Sequence, residues 1–361
     1  MQLLPWLALI DASLAAARRT LEVMASPSHD RPEPDWDWTT PNTVIRELPT
    51  MRLRQFGGGQ GPAVILVAPY ALHRATIADL APGHSVIEAL LGAGTGRIWL
   101  TDWRSADGTR RHQSIDHQLE DLTVAVDDAG SPAAVVGLCQ GGTLAAIHAA
   151  RFPAKTARLV LVGAPIDMAA APSLLTGLID RTPPAAVELM LDQGGGLVRG
   201  RAMREAWPNA AADEALMAAV LQRRRVTPAL AARFRAWNED VVDLPGAFYR
   251  QTVDWLFREN RLARGTFPAL GRETGLYAVV CPLVLVAARE DEIVSAPQVL
   301  AMARHVATPP DRIATHLVAG RHLSLFMGRD VLDRTWPEIA AFLAAGTPPA
   351  ARPGKARGKR A

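Results

Sequence analysis

The segment that most constrains the fold is an apolar run that ends at a cysteine between glycines. Residues 133–138 are apolar and predict a buried strand, and residues 143–150 predict a helix. The sequence GLCQGG of residues 137–142 connects them. A sharp strand-to-helix turn around G-x-C-x-G is the nucleophile-elbow pattern, here with a thiol where a hydroxyl is usual. Glycines permit the tight turn, and the helix N-terminus favours a thiolate at Cys139.

Cys139 also fits a purely structural role, because a free thiol packs as a small hydrophobic group. The elbow alone does not decide between these interpretations. A nucleophile needs an orienting acid and a histidine base, which follow it in that chain order in the α/β-hydrolase arrangement. Asp291 and His322 have this order, and each follows a predicted strand, at the sheet edge where such sites lie. Glu290 and Glu292 flank the aspartate and compete with it for the same role.

These residues predict a Cys-His-Asp catalytic triad. His322 would accept the proton of Cys139, and Asp291 would hold the imidazole in the required tautomer and stabilise its charged form. The oxyanion hole would use the backbone N–H of Gln140 and one from the loop after the first buried strand, near Leu72 and His73.

Short apolar strands alternate with helices along most of the chain, which predicts an α/β protein with a doubly wound, mostly parallel sheet. Besides residues 133–138, the predicted buried strands are residues 63–69, 97–103, 157–165, 282–288 and 313–319. Between about residues 168 and 277 the alternation stops and the pattern is helical, with prolines at intervals. We expect this insertion to cap the carboxyl edge of the sheet, as in an α/β-hydrolase fold.

The pattern divides the chain into five predicted segments. They are an N-terminal helix and linker (1–43), the first part of the core (44–168), a helical cap or lid (169–276), the second part of the core (277–345) and a basic tail (346–361). Within the first segment, residues 4–24 predict an amphipathic helix that packs on the body, a partner or a hydrophobic particle.

Composition describes a soluble globular protein, with 49% hydrophobic and 21% charged residues among 361. Two cysteines give neither a disulfide framework nor a metal cluster, so we expect a reducing cytoplasm. The formal net charge is only +3 and much of the excess lies in the tail, so nucleic-acid binding is not expected. No window reaches the roughly 18 apolar residues of a membrane span.

The motifs together resemble the polyhydroxyalkanoate synthases, and the length is most similar to the short catalytic subunit of the two-component, class III type. The resemblance is carried by residues 137–142, by Ile77–Leu80 with Ser85, by Thr101–Arg104, and by Trp237–Asp240 followed by Leu244–Gly246 and Glu259–Leu262. The last group is the most specific, because generic α/β hydrolases have no reason to share it.

The resemblance implies that Cys139, Asp291 and His322 are nucleophile, orienting acid and base. It also implies that Trp237 and Asp240 contribute to substrate binding. Several positions differ from the usual family pattern: His73 replaces Asn, Thr76 an aromatic residue, Glu292 a His and Ser295 a Pro, and Arg321 interrupts a G-G-H sequence.

The expected function is therefore a polyhydroxyalkanoate synthase-like acyltransferase. A 3-hydroxyacyl-CoA would acylate Cys139, and the acyl group would pass to a growing polyester chain with release of CoA. No metal or redox cofactor is expected, since the coenzyme A thioester is the substrate. A second synthase subunit or a homodimer is the expected protein partner, and the granule surface within the cytoplasm is the expected location.

Two alternatives remain open at the level of sequence. One is a cysteine-dependent hydrolase of the same architecture, either an intracellular depolymerase or a thioesterase, in which water accepts the acyl group. The other is a divergent paralogue without activity, which acts as a partner subunit or granule-surface protein.

Overall fold

The computed structural model describes residues 37–206 and 213–345. The predicted helix at residues 4–24 and the predicted tail at residues 346–361 lie outside the described residues.

The centre of the fold is an eight-stranded sheet in the order β1-β2-β4-β3-β5-β6-β7-β8. Its strands are β1 (Asn42–Glu47), β2 (Met51–Phe56), β3 (Val64–Val67), β4 (Ile98–Trp103), β5 (Ala133–Leu138), β6 (Thr156–Val162), β7 (Leu283–Ala288) and β8 (Ile313–Val318). Strand β2 is antiparallel to both of its neighbours, and the strands from β3 to β8 are mutually parallel. The prediction of a mostly parallel, doubly wound sheet is confirmed.

The apolar runs of the sequence form the centre of the sheet because both of its faces are covered. Strands β3 and β7 are buried along their whole length, whereas the edge strands β1 and β8 are largely exposed. Strand β1 has little apolar pattern and begins at Asn42; the start of the core at residue 44 remains a prediction.

Helices cover the two faces of the sheet and form the segment between β6 and β7. The helices before that segment are α1 (Val86–Gly92), α2 (Ile115–Asp128) and α3 (Gln140–Arg151). Those after β7 are α11 (Ala296–Leu300), α12 (Met302–His305), α13 (Ser324–Met327) and α14 (Arg329–Ala344). Helix α3 begins three residues before the predicted Thr143, directly after Cys139, because residues 141 and 142 form its first turn although glycine disfavours helices.

The segment between β6 and β7 is mainly helical and contributes no strand to the central sheet within the described residues. Its helices are α4 (Leu174–Arg181), α5 (Pro184–Gln193), α6 (Gly200–Ala206), α7 (Glu214–Leu221), α8 (Pro228–Glu239), α9 (Gly246–Gln251), a π-helix (Thr252–Arg258) and α10 (Arg261–Arg264). This is the segment predicted to be the cap; its limits at residues 169 and 276 remain a prediction.

Candidate active site

Cys139 lies in the sharp turn between β5 and α3. Its backbone has φ 48° and ψ −127°, a conformation that costs a non-glycine residue on the order of 1–3 kcal/mol. Its N–H donates to the carbonyl of Val162 (2.8 Å), and its carbonyl accepts from the N–H of Gly142 (2.8 Å). The turn thus places the thiol at the carboxyl edge of the sheet, at the start of a helix.

Two glycines let α3 approach the sheet closely enough to form this turn. A Cβ at residue 137 would clash with the backbone of Gly142, and a Cβ at residue 141 would clash with the carbonyl oxygens of Val67 and Ala68. The glycines of the motif are therefore required by close backbone contacts on both sides of the cysteine.

His322 and Asp291 follow β8 and β7, the last two strands in the order of the sheet, and converge on the cysteine. Asp291 follows β7, and its Oδ2 lies 2.8 Å from His322 Nδ1. The other carboxylate oxygen accepts hydrogen bonds from the backbone N–H groups of Ile293 (3.0 Å) and Val294 (2.8 Å). Because the Nδ1–H donates to Asp291, Nε2 is the ring nitrogen left to interact with the thiol of Cys139, to which His322 is also hydrogen-bonded.

The His322 ring is 3% exposed and the Asp291 side chain is completely buried. Burial alone would lower the pKa of His322. The negative charges of Asp291 and of a Cys139 thiolate, together with hydrogen bonds to both, instead raise the pKa well above its ordinary value of 6.5. The site therefore stabilises a protonated imidazole, which is the form that follows proton transfer from the thiol.

The two glutamates that compete with Asp291 in the sequence have other contacts. Glu290 Oε2 accepts from the backbone N–H of Gly320 (2.6 Å), and Glu292 Oε2 accepts from the backbone N–H of His322 (3.3 Å). Glu292 also pairs with Arg321, with Nη2 3.2 Å from Oε1. Both glutamates thus join the loop after β7 to the loop that carries His322. Two of the departures from the family pattern, Glu292 and Arg321, are partners of one another.

The loop after β3, in which the second oxyanion-hole donor was predicted, is attached to the core at its start and to the predicted cap further on. At its start, Trp103 Nε1–H donates to the carbonyl of Ala68 (2.8 Å). Further on, the carbonyl of Leu72 accepts from Val242 N–H (2.9 Å), and His73 forms an isolated antiparallel bridge with Val241. Gln140 is the first residue of α3. The use of the N–H groups of Gln140 and of Leu72 or His73 as an oxyanion hole remains a prediction.

Trp237 and Asp240 contact residues of this loop. Trp237 is fully buried, and its ring centroid is 4.3 Å from that of His73. Asp240 Oδ1 accepts from Arg74 Nε (2.9 Å). Burial, followed by the nearby charge of Arg204, lowers the pKa of His73 to about 4, and a hydrogen bond that the ring donates to the backbone carbonyl of Asp240 acts in the opposite direction. The cap thus supports the loop through a neutral histidine; a direct role for Trp237 and Asp240 in substrate binding remains a prediction.

A hydrogen-bond network that the sequence did not predict joins Asn260, near the end of the predicted cap, to Asp167 in the segment after β6. Asn260 Nδ2 donates to Asp167 Oδ1 (2.8 Å), and Asn260 Oδ1 accepts from the N–H of Met168 (3.2 Å). The second oxygen of Asp167 accepts from Arg304 (2.7 Å) and lies 2.8 Å from His305 Nε2. Asn260 belongs to the Glu259–Leu262 motif, so the motif was the signal, although its partner lies 93 residues away.

Residues 37–206 and 213–345 contain no group of three or more His, Cys, Asp or Glu side chains that could hold a metal ion. Within the same ranges, no helix is long and apolar enough to cross a membrane.

The fold belongs to the nucleophile-elbow class of α/β proteins, with a cysteine at the nucleophile position. This class is defined by the order of the strands, by the elbow and by the His-Asp pair that converges on it. The chain belongs to the alpha/beta hydrolase fold family, whose model matches residues 80–328. A solved structure with the same fold is the Paleococcus ferrophilus monoacylglycerol lipase, at 15% identity and a TM-score of 0.54. That match covers 81% of this chain and 98% of the lipase.

Curated relatives give a more specific likeness. The chain is 24% identical over 306 residues to a poly(3-hydroxyalkanoate) polymerase subunit PhaC of Synechocystis sp., a match that covers 78% of each protein. It is 23% identical over 298 residues to the PhaC subunit of Allochromatium vinosum, covering 80% of this chain and 83% of that protein. The likeness therefore extends over most of the chain, well beyond the elbow.

Proposed function

We propose that this protein is a polyhydroxyalkanoate synthase-like acyltransferase that uses 3-hydroxyacyl-CoA. The observation that carries the proposal is the contact of Cys139 with the buried His322–Asp291 pair. It occurs in a chain that is similar over most of its length to poly(3-hydroxyalkanoate) polymerase subunits.

In the first half-reaction, His322 Nε2 accepts the proton of Cys139, and the thiolate attacks the thioester carbonyl carbon of the acyl-CoA. The charge that develops on the carbonyl oxygen would be stabilised by the N–H groups of Gln140 and of the loop at Leu72 and His73. The bond between the acyl carbon and the CoA sulfur then breaks, and the CoA sulfur takes the proton from His322. Asp291 keeps the imidazole oriented and stabilises its charge throughout.

In the second half-reaction, the terminal hydroxyl of a polyester chain gives its proton to His322 and attacks the acyl carbon held on Cys139. The bond to the cysteine sulfur breaks, and the thiol recovers the proton. The acyl-enzyme is a thioester, close in energy to the acyl-CoA and well above an oxygen ester. Acylation is therefore nearly neutral and transfer to the hydroxyl is downhill, which favours synthesis over depolymerisation through the same thiol.

The substrates set the expected surroundings of the protein. A growing polyester is insoluble, so the protein would work at the surface of a polyester granule in the cytoplasm, with a second synthase subunit or a second copy as its partner. The chemistry requires no metal or redox cofactor.

The test is to incubate the purified protein with 3-hydroxybutyryl-CoA, alone and with a candidate second subunit. Free CoA is measured with a thiol reagent, and the products are separated into insoluble polyester and free 3-hydroxybutyrate. CoA release with polyester supports the proposal. CoA release with free 3-hydroxybutyrate as the sole product would indicate a hydrolase. No CoA release, either with or without the second subunit, would contradict the proposal.

A further inference from the structure

Outside the elbow, a groove of about 690 Å³ lies between the cap and the residues that follow the loop after β3. Three arginines line it: Arg223, Arg225 and Arg233. Its other polar residues include His84 and Trp38. We propose that this basic groove binds the phosphate groups of the nucleotide of coenzyme A. The assignment rests on the proposed acyl-CoA-dependent function, which it makes more specific.

The charge of the groove favours an anion. Among its described lining residues Asp37 is the one carboxylate; its side chain is 96% exposed and lies 3.6 Å from Arg233. Arg223 and Arg225 are exposed, and within the described residues neither forms an ion pair with a carboxylate. Guanidinium groups suit phosphate oxygens because their planar donors can form two parallel hydrogen bonds.

One arginine is held over the groove by a buried histidine. His84 is 1% exposed, with Nδ1 2.7 Å from the carbonyl of Met327 and Nε2 3.3 Å from Arg223 Nε. Burial lowers the pKa of His84, against the hydrogen bond to Met327, and Arg223 and Arg329 lower it further while Asp333 raises it. A neutral ring fits both contacts, because Nδ1–H donates to the carbonyl and Nε2 accepts from the guanidinium.

The third lining arginine is largely engaged already. Arg233 Nε donates to the carbonyl of Leu80 (2.8 Å), and its Nη2 donates to the carbonyl of Asp37. Arg223 and Arg225 therefore supply the exposed guanidinium groups for the phosphates of coenzyme A.

Two elements that border the groove continue to the candidate active site. Met327, which holds His84, ends helix α13, and that helix begins two residues after His322. Helix α8, which carries Arg233, continues to Trp237, which contacts His73 of the loop after β3. The proposal requires the pantetheine arm of a thioester at Cys139 to span from the thiol to the groove.

The first test measures binding of 3′,5′-ADP, which carries the nucleotide phosphates without the arm, by isothermal titration calorimetry. The variant is Arg223→Gln with Arg225→Gln, and the control is Arg224→Gln, an exposed neighbour that does not line the groove. Loss of charge-assisted hydrogen bonds should weaken binding by about tenfold or more per arginine in the variant and leave the control unchanged. Equal affinities in the variant and the wild type would overturn the assignment.

The second test compares KM for 3-hydroxybutyryl-CoA with KM for 3-hydroxybutyryl-pantetheine, which lacks the nucleotide. The double variant should raise KM for the CoA ester and not for the pantetheine ester, with kcat unchanged for both. Equal effects on both esters would overturn the assignment. So would arginine-dependent binding of phosphatidylglycerol vesicles without binding of 3′,5′-ADP, since that would assign a lipid headgroup.

Arg225→Gln alone repeats both tests without disturbing the contact between Arg223 and His84. If the wild type turned over neither ester yet bound 3′,5′-ADP in an arginine-dependent manner, the proposed function would fail and the groove assignment would stand.

Discussion

Cys139 and Cys281 carry the same side chain and lie at opposite edges of one sheet. Cys139 directly follows β5 at the carboxyl edge, in a strained turn beside His322. Cys281 lies two residues before β7 at the amino edge, where burial raises the pKa of its thiol to about 11. The two thiols therefore differ through their positions on the sheet and not through their own chemistry. The parallel strands bring the side chains of His322 and Asp291 together at the carboxyl edge, whereas Cys281 is packed at the amino edge.

The largest expected difference between the two cysteines is in acyl transfer. Cys139→Ala should lower the rate of CoA release by about 10⁴-fold or more, as removal of the nucleophile does in comparable triads. Cys281→Ala, the matched control, should stay within about threefold of the wild-type rate, because that thiol touches no part of the site. The rates are measured with 3-hydroxybutyryl-CoA. A Cys139→Ala protein with the wild-type rate would refute covalent catalysis at this residue.

The carboxylate that we propose orients His322 gives the next largest effect. Asp291→Asn should lower the rate by about 10³–10⁴-fold, because the amide no longer stabilises the imidazolium and favours the wrong tautomer. Glu292→Gln is the matched control and should cost less than about tenfold, since Glu292 contacts the backbone N–H of His322 and not its ring. Equal losses in the two variants would show that the acid had been assigned wrongly.

These two carboxylates also show where sequence reasoning ends. Apolar runs predict the buried strands, and the chain order of nucleophile, acid and base predicts which strand ends matter. The choice among residues 290, 291 and 292 depends on how the loops after β7 and β8 meet, and a one-residue change in the turn would select another side chain. That contact is not encoded locally.

The same limit applies to longer separations. Asn260 binds Asp167 across 93 residues, and Arg223 contacts His84 across 139. The Glu259–Leu262 motif indicates Asn260 but not its partner, and neither pairing follows from periodicity, because each depends on how the cap packs on the core. The early start of α3 was missed for a local reason: glycines that normally end helices are here required by close backbone contacts.

Alkylation compares the two thiols directly in one sample. With a pKa of about 11, only about one Cys281 in 10⁴ is a thiolate at pH 7, and the side chain is 6% exposed. Iodoacetamide should therefore label Cys139 at least about 100-fold faster than Cys281 in the native protein, as measured by mass spectrometry of the two peptides. In 6 M urea the difference should disappear, as neither thiol then has its folded surroundings. Equal labelling rates in the native protein would show that the fold does not make Cys139 more reactive than Cys281.

The charge of the thiolate should also be visible at His322. In Cys139→Ala the imidazole loses one of the two negative charges that raise its pKa, so its titration by NMR should move to lower pH than in the wild type. A raised pKa means that the protonated ring stabilises the fold fully below its unfolded value of 6.5, and that this contribution is lost as pH rises through the folded value. In Cys281→Ala the His322 titration should be unchanged. An unaltered titration in Cys139→Ala would mean that the thiol and ring do not interact.

The smallest expected effect concerns the backbone. The difference in stability between a glycine and an alanine variant should have opposite signs at residues 139 and 281. At residue 139, where φ is 48°, glycine should give a free energy of unfolding about 1 kcal/mol higher than alanine, because it adopts this conformation without strain. At residue 281, which is not among the positive-φ residues, glycine should be about 0.4–1 kcal/mol less stable than alanine, because its unfolded chain has more conformational freedom. Urea unfolding of the four single variants measures both differences. If glycine were the weaker residue at both positions, the turn at Cys139 would be relaxed in solution, and strain could not be part of how the elbow presents its thiol.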